Sequence, residues 1–242
     1  MDDRLTRDTF FNGKLTVKQE RVGYRFSIDA VILAHGVRPK PDERIVDLGT
    51  GCGIVPLILA YRYPSIRIFG VEIQKQLADI ADINVRENGM EHGIRILHQD
   101  MQTIQPAMFQ GPVDIVLSNP PYRKSASGRI NPNRQRAVAR HEIRVTLFEV
   151  VKAASDILKT AGLFVIVYSS ERLPELVRHM RSCGLEAKHV RFIHSRRDSE
   201  SRFMIMEGVK QGRPGLKVGP PIIIYNADGT YTEEVEAMFR PF

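Results

Sequence analysis

Cysteine is scarce in this chain of 242 residues: Cys52 and Cys183 are far apart and in no C-x-x-C spacing. That excludes a disulfide-stapled scaffold and leaves neither a redox pair nor a zinc ligand set in the sequence, so no metal is expected. Long apolar runs are missing too. Stretches such as Ile54 to Ala60 and Leu163 to Tyr168 are core-sized, well short of the roughly 18 residues that cross a bilayer. The N-terminus, Met1 to Phe10, is charged and lacks the apolar centre of a secretory signal. Internal repeats and low-complexity tracts are absent. These gaps point to a soluble protein of the reducing cytoplasm with no membrane partner. Acid is in deficit as well: 35 Lys and Arg against 28 Asp and Glu leave a formal charge of +7. Such a surplus suits a polyanion, nucleic acid above all, although the same total also serves solubility.

What is present is an alternation of short β-branched runs with longer helical patterns, the mark of a parallel sheet covered by helices. Strands are expected at Arg44 to Leu48, Ile66 to Ile73, Ile94 to Asp100, Val113 to Ser118 and Leu163 to Tyr168. Helices are expected at Ile54 to Tyr63, Gln76 to Asn88, Glu142 to Lys159 and Pro174 to Cys183, with Gly162 as the stop before the fifth strand. Ala187 to His194 and Arg202 to Val209 read as a hairpin at the sheet edge, joined by the turn Ser195 to Ser201. The N-terminal part holds a hairpin over Leu15 to Phe26 and a short helix from Ser27, as N-cap, to Gly36. Residues 123–141 break the pattern and read as a long loop. The organisation expected is 1–40 as a hairpin and helix packed on the catalytic domain, 41–210 as that domain, and 211–242 as a Gly/Pro-rich extension wrapping its surface.

Val46-Asp47-Leu48-Gly49-Thr50-Gly51-Cys52-Gly53 lies where a strand turns into a helix, the nucleotide-binding corner of a doubly wound sheet. A dinucleotide fingerprint is G-x-G-x-x-G, whereas Gly49, Gly51 and Gly53 run G-x-G-x-G. Asp47 would repel a pyrophosphate and attract a sulfonium ligand carrying an ammonium, which favours S-adenosylmethionine over NAD. Glu72 closes the next strand, where an acid can accept both ribose hydroxyls. Asp100 closes the one after, placed to accept from an adenine amino group, with Met101 beside it. Each acid alone could be a helix cap or a solvated turn residue; the ordered set of three at strand ends is what points to a cofactor.

Asn119-Pro120-Pro121-Tyr122 follows the fourth strand and falls on the same edge. Methylation of an exocyclic amine is hampered because the nitrogen lone pair is delocalised into the ring. Acceptors aimed at the amino hydrogens, the Asn119 side-chain oxygen and the Pro120 carbonyl, favour the tetrahedral nitrogen of the transition state. Tyr122 offers a flat face for a base or an amide. Without the upstream motif, Asn-Pro-Pro would read as a plain turn.

Together, Asp47 to Gly53, Glu72, Asp100 and Asn119 to Tyr122 resemble motifs I to IV of the S-adenosylmethionine-dependent amino-methyltransferases that carry N/D-P-P-Y/F. Phe26 to Leu33, Ala139 to Glu142 and Gly215 to Pro221 are similar to segments of the bacterial tRNA(Val) adenine-N6 methyltransferase group. The resemblance implies a class I methyltransferase (Rossmann-like) α/β fold, a doubly wound, mostly parallel sheet of seven strands ending in an antiparallel hairpin. It implies an enzyme that methylates N6 of an adenine in tRNA, the one 3′ of the anticodon. It also places Ser27 and Asp29 near the methionine end of the cofactor.

From Arg123 to Arg144 there are seven cations against Glu142 alone. This local surplus of +6 begins directly after the tetrapeptide, where an RNA backbone delivering a flipped adenine would arrive. Arg123, Lys124, Arg134, Arg136 and Arg140 are the expected RNA contacts. A second cluster, Arg191, Arg196, Arg197 and Arg202, is interrupted by Asp198 and Glu200 and is ambiguous. Rival readings are a protein glutamine N5-methyltransferase, a DNA or rRNA adenine-N6 methyltransferase, and an RNA-binding adaptor without catalysis. The sequence does not specify an oligomeric state.

Overall fold

The computed structural model describes residues 5–22, 25–121 and 145–241. Arg123, Lys124, Arg134, Arg136 and Arg140, and Tyr122 with them, lie outside the described residues. The chain opens with β1 (Leu5–Phe10) and β2 (Leu15–Glu20), a separate antiparallel hairpin, followed by α1 (Ile28–His35). Then comes the alternating core: β3 (Arg44–Leu48), α2 (Ile54–Arg62), β4 (Arg67–Glu72), α3 (Lys75–Glu87), β5 (Ile94–His98) and β6 (Val113–Ser118). After the undescribed segment come α4 (Leu147–Ile157), β7 (Leu158–Ser169), α5 (Leu173–Ser182), β8 (Leu185–His194) and β9 (Ser201–Lys210). Two short strands, β10 (Lys217–Val218) and β11 (Ile222–Ile223), and a final turn of helix, α6 (Glu233–Ala237), complete it.

β3, β4, β5, β6 and β7 are parallel, in the order β7-β6-β3-β4-β5, so the order reverses beside β3. Loops at the carboxyl ends of β3 and β6 therefore meet at a topological switch point, where open α/β sheets bind ligands. Ile45, Val46, Asp47 and Leu48 are all buried, as a strand covered by helices on both faces demands. Side chains of the first hairpin and of α6 share a core with α1, α2 and β3, through Phe10, Leu15, Val17, Val235 and Met238.

Several expectations need correction. The expected seven strands are present, but among the described residues the sheet has nine: β10 and β11 add in parallel to β8, so β8 and β9 do not end the sheet and part of 211–242 is sheet, not wrapping. The N-terminal hairpin spans Leu5–Glu20 instead of Leu15 to Phe26. Its turn is Phe11-Asn12-Gly13, all at positive φ, and Asn-Gly is the dipeptide that signals it. α4 starts at Leu147, behind a capping box in which Thr146 Oγ1 accepts from Glu149 N and Glu149 Oε2 accepts from Thr146 N. It stops at Ile157, with Lys210 Nζ donating to the carbonyls of Ser155 and Leu158. Gly162 is not the left-handed residue there; Ala161 is, at φ 61°. Gly162 is required for space, because a Cβ on it would lie 2.8 Å from the Lys159 carbonyl oxygen.

The open edge of β2 pairs with side chains, not with a strand. The Asn84 amide on α3 accepts from Lys18 N (2.8 Å) and donates to Lys18 O (2.8 Å). One turn later Asn88 does the same for Thr16, at 2.9 and 2.7 Å. Asn84 Nδ2 also donates to the Cys52 carbonyl at 2.9 Å, joining the hairpin to the glycine loop. Asn84→Ala should cost about 2–3 kcal/mol, because buried backbone groups lose their partners. The check is a lower urea midpoint with an unchanged slope.

Candidate active site

At the end of β3 the chain turns back through three glycines in the left-handed region, Gly49 (φ 76°), Gly51 (φ 59°) and Gly53 (φ 84°), a path that side chains resist. The first and last have different surroundings. A Cβ on Gly49 would meet only Met101 Cε, at 3.9 Å, so the backbone there is open to a ligand and Met101 borders the opening. A Cβ on Gly53 would lie 3.2 Å from Ala81 Cβ, so Gly53 also lets α2 pack closely on α3.

Asp47 and Glu72 are both buried at the ends of adjacent strands. Glu72 Oε2 accepts from Gly51 N (2.9 Å) and Oε1 from Gln74 N (2.9 Å), which fixes the carboxylate against the loop and leaves each oxygen a lone pair. Asp47 Oδ2 accepts from Thr50 Oγ1 at 2.6 Å. Burial pushes the Asp47 carboxyl up to about 7; the Thr50 hydroxyl pulls it back and the Glu72 carboxylate raises it further. A buried anion held this high calls for a cation. The open Gly49 backbone and two buried carboxylates with spare acceptor capacity fit an adenosyl ligand carrying a sulfonium and an ammonium. Sequence reasoning missed Thr50, and with it Gly70, where a Cβ would lie 2.9 Å from Thr50 Cγ2. A small residue on the strand beside the glycine loop was the available signal.

Asp100 is half-buried just beyond β5, and its Oδ1 accepts from Gln102 N at 2.9 Å. Ser27 occupies the N-cap position of α1 but makes no capping bond; its hydroxyl donates to Asp29 Oδ2 at 2.7 Å. Asp29 is buried, and burial raises its carboxyl while the Ser27 hydroxyl lowers it. Cys52 is enclosed in the loop, and burial pushes its thiol up to about 12, so it is an unreactive packing residue.

Asn119 follows β6. Leu48 and Ser118 are register partners, and Ser118 Oγ donates to Leu48 O at 2.9 Å, locking the ends of β3 and β6 side by side. Asn119 is half-buried and Pro120 buried. Two consecutive prolines remove two backbone N–H donors and bias Asn119 and Pro120 toward extended backbone, so the segment is rich in acceptors. The structure thus brings Asp47, Gly49, Glu72, Met101, Asn119 and Pro120 to one sheet edge, while Ser27 and Asp29 reach one another from a separate segment.

A family model described as the methyltransferase small domain matches residues 25–193. The chain belongs to this family. A relative from Porphyromonas gingivalis, named tRNA1(Val) (adenine(37)-N6)-methyltransferase, is 26% identical over 98% of this chain and 96% of its own. One of the same name from Bacteroides thetaiotaomicron is 33% identical over 67% of each chain. Among solved structures, a predicted O-methyltransferase from Agrobacterium tumefaciens has a TM-score of 0.70 at 20% identity, covering 87% of this methyltransferase and 94% of that chain. That likeness establishes the class I fold expected from the motifs. The relatives agree with the resemblance drawn from Asn119 to Tyr122 and its flanking segments. No helix among the described residues of this methyltransferase is long and apolar enough to cross a membrane.

Proposed function

We propose that this methyltransferase transfers the methyl group of S-adenosylmethionine to N6 of adenine 37 in tRNA1(Val), in the cytoplasm. One juxtaposition carries the reading: the Asn119-Pro120 acceptors stand beside the Gly49 opening, on strand ends held together by the Ser118 to Leu48 bond. The names of the full-length relatives supply the substrate. When bound, S-adenosylmethionine supplies an electrophilic methyl on a sulfonium. Asp47 and Glu72 hold the cationic and hydroxyl parts of the ligand, and Thr50 keeps Asp47 oriented. Asn119 and Pro120 accept hydrogen bonds from the amino group, which turns its lone pair out of conjugation. Tyr122 stacks on the base, and Arg123, Lys124, Arg134, Arg136 and Arg140 contact its phosphates. No strong base is required, because the proton leaves once the nitrogen is cationic, and placement of the amine supplies the rest.

The test is incubation with methyl-labelled S-adenosylmethionine and, separately, tRNA, rRNA, duplex DNA and protein extract. Label should enter tRNA and co-migrate with N6-methyladenosine after digestion. Label in protein alone would overturn the reading.

A further inference from the structure

The second arginine cluster and the C-terminal segment meet in the fold, although over 20 residues separate them in sequence. Register fixes where. Ser118 of β6 lies level with Ile166 of β7, Met206 of β9 and Val190 of β8. β8 continues four residues further to His194, so at about 3.3 Å per residue the turn after it stands roughly 13 Å beyond the end of β6. β11 runs parallel to this arm, and the chain after it stays bonded to it: Ile224 N donates to His194 O and Tyr225 N to Ser195 O, each at 2.9 Å.

Two kinds of side chain stand on the arm. Arg196, Arg197 and Arg202 are exposed and form no ion pair with the described residues. Tyr225 and Tyr231 stack at 5.3 Å between ring centroids and stay 36% and 39% exposed. Tyr231 in turn stacks on Phe239, and Phe239 on the buried Phe10, so the outer rings rest on an aromatic column that reaches the core. Asp198 and Glu200 share the turn and keep its net charge low. Bulk electrostatic attraction is therefore not what this surface offers. Flat rings backed by packing, with arginines on the turn whose Ser195 carbonyl accepts from Tyr225 N, are the elements that stack on nucleobases and fork onto phosphates.

We propose that this arm is a second RNA-contacting surface, with Tyr225 as a stacking platform and Arg196 and Arg197 as phosphate or base contacts. It would engage tRNA outside the target nucleotide. Four inter-strand steps separate β11 from β6, about 19 Å, so a base on Tyr225 is a different one from the base at Asn119. The proposal rests on the tRNA reading above and names where the substrate body is held.

The experiment compares the intact wild-type chain with Tyr225→Ala, Tyr225→Phe and the double variant Arg196→Ala/Arg197→Ala, using an unmodified tRNA1(Val) transcript. KM for the transcript should rise about 5- to 20-fold in Tyr225→Ala and in the double variant, with kcat and the Kd for S-adenosylhomocysteine within twofold of wild type. Tyr225→Phe keeps the ring and should behave as wild type. The salt dependence of transcript binding should flatten in the arginine variant and keep its slope in Tyr225→Ala. A KM within twofold of wild type for Tyr225→Ala or for the double variant overturns the arm as an RNA surface. Failure of the wild-type chain to label the transcript overturns the tRNA reading instead, and is seen before any variant is compared.

Discussion

Asn119→Ala should lower kcat by about 10²- to 10³-fold, the scale on which a single preorganised polar group acts in a transition state, while the Kd for S-adenosylhomocysteine stays within a few-fold. The split follows from position. Asn119 lies beyond β6, next to the loop opening but not among the carboxylates that would hold the cofactor. Its acceptor becomes more valuable as the amine turns pyramidal, so its loss falls on kcat more than on KM. Asn119→Asp retains an acceptor oxygen in the same place and should recover most of the loss. Single-turnover kinetics with saturating cofactor provide the measurement, and unchanged turnover in Asn119→Ala would remove the residue from the chemistry.

Asp47→Asn should weaken S-adenosylhomocysteine binding by about 30-fold or more at pH 8, corresponding to about 2 kcal/mol or more for one side of a buried charge pair. The same substitution should stabilise the ligand-free protein at that pH. With its carboxyl raised to about 7, Asp47 favours the folded state most when protonated. That contribution is complete below the unfolded value near 3.9 and is lost as pH rises through about 7. At pH 8 the wild-type chain folds against the cost of a buried anion, up to about 4 kcal/mol, which asparagine avoids. Thermal melts should therefore favour Asp47→Asn at pH 8 and converge toward pH 4. Binding follows the opposite course: wild-type affinity should fall as pH drops below about 7, and the variant should lose that dependence. Calorimetric titrations between pH 6 and 8 test both halves; equal melting temperatures at pH 8 would contradict the linkage.

The parallel core was legible because short strands rich in β-branched residues alternate with longer helical patterns, and Gly49, Glu72, Asp100 and Asn119-Pro120 punctuate the ends of the first four. Asp47, Glu72 and Asn119 could be placed on one edge from that alone, since carboxyl ends of parallel strands share an edge. Local residue pairs were harder to read. The pattern from Ile143 runs past the Thr146 to Glu149 box, and periodicity outweighed the cap. β10 and β11 are two residues each and carry no period at all; only β8 makes them strands. Ser27 shows the reverse case, a residue in the right place for a cap whose hydroxyl turns to Asp29. Thr50 was hidden because its importance lies in a contact, not in a motif position.

The amides of Asn84 and Asn88 lie 66 and 72 residues downstream of the backbone groups they satisfy. A ribosome therefore releases the first hairpin long before the helix that completes it. Until residue 88 has emerged, the outer edge of β2 faces water or another nascent chain, the exposure from which strands aggregate. The pairing of Lys18 and Thr16 thus waits on residues synthesised much later.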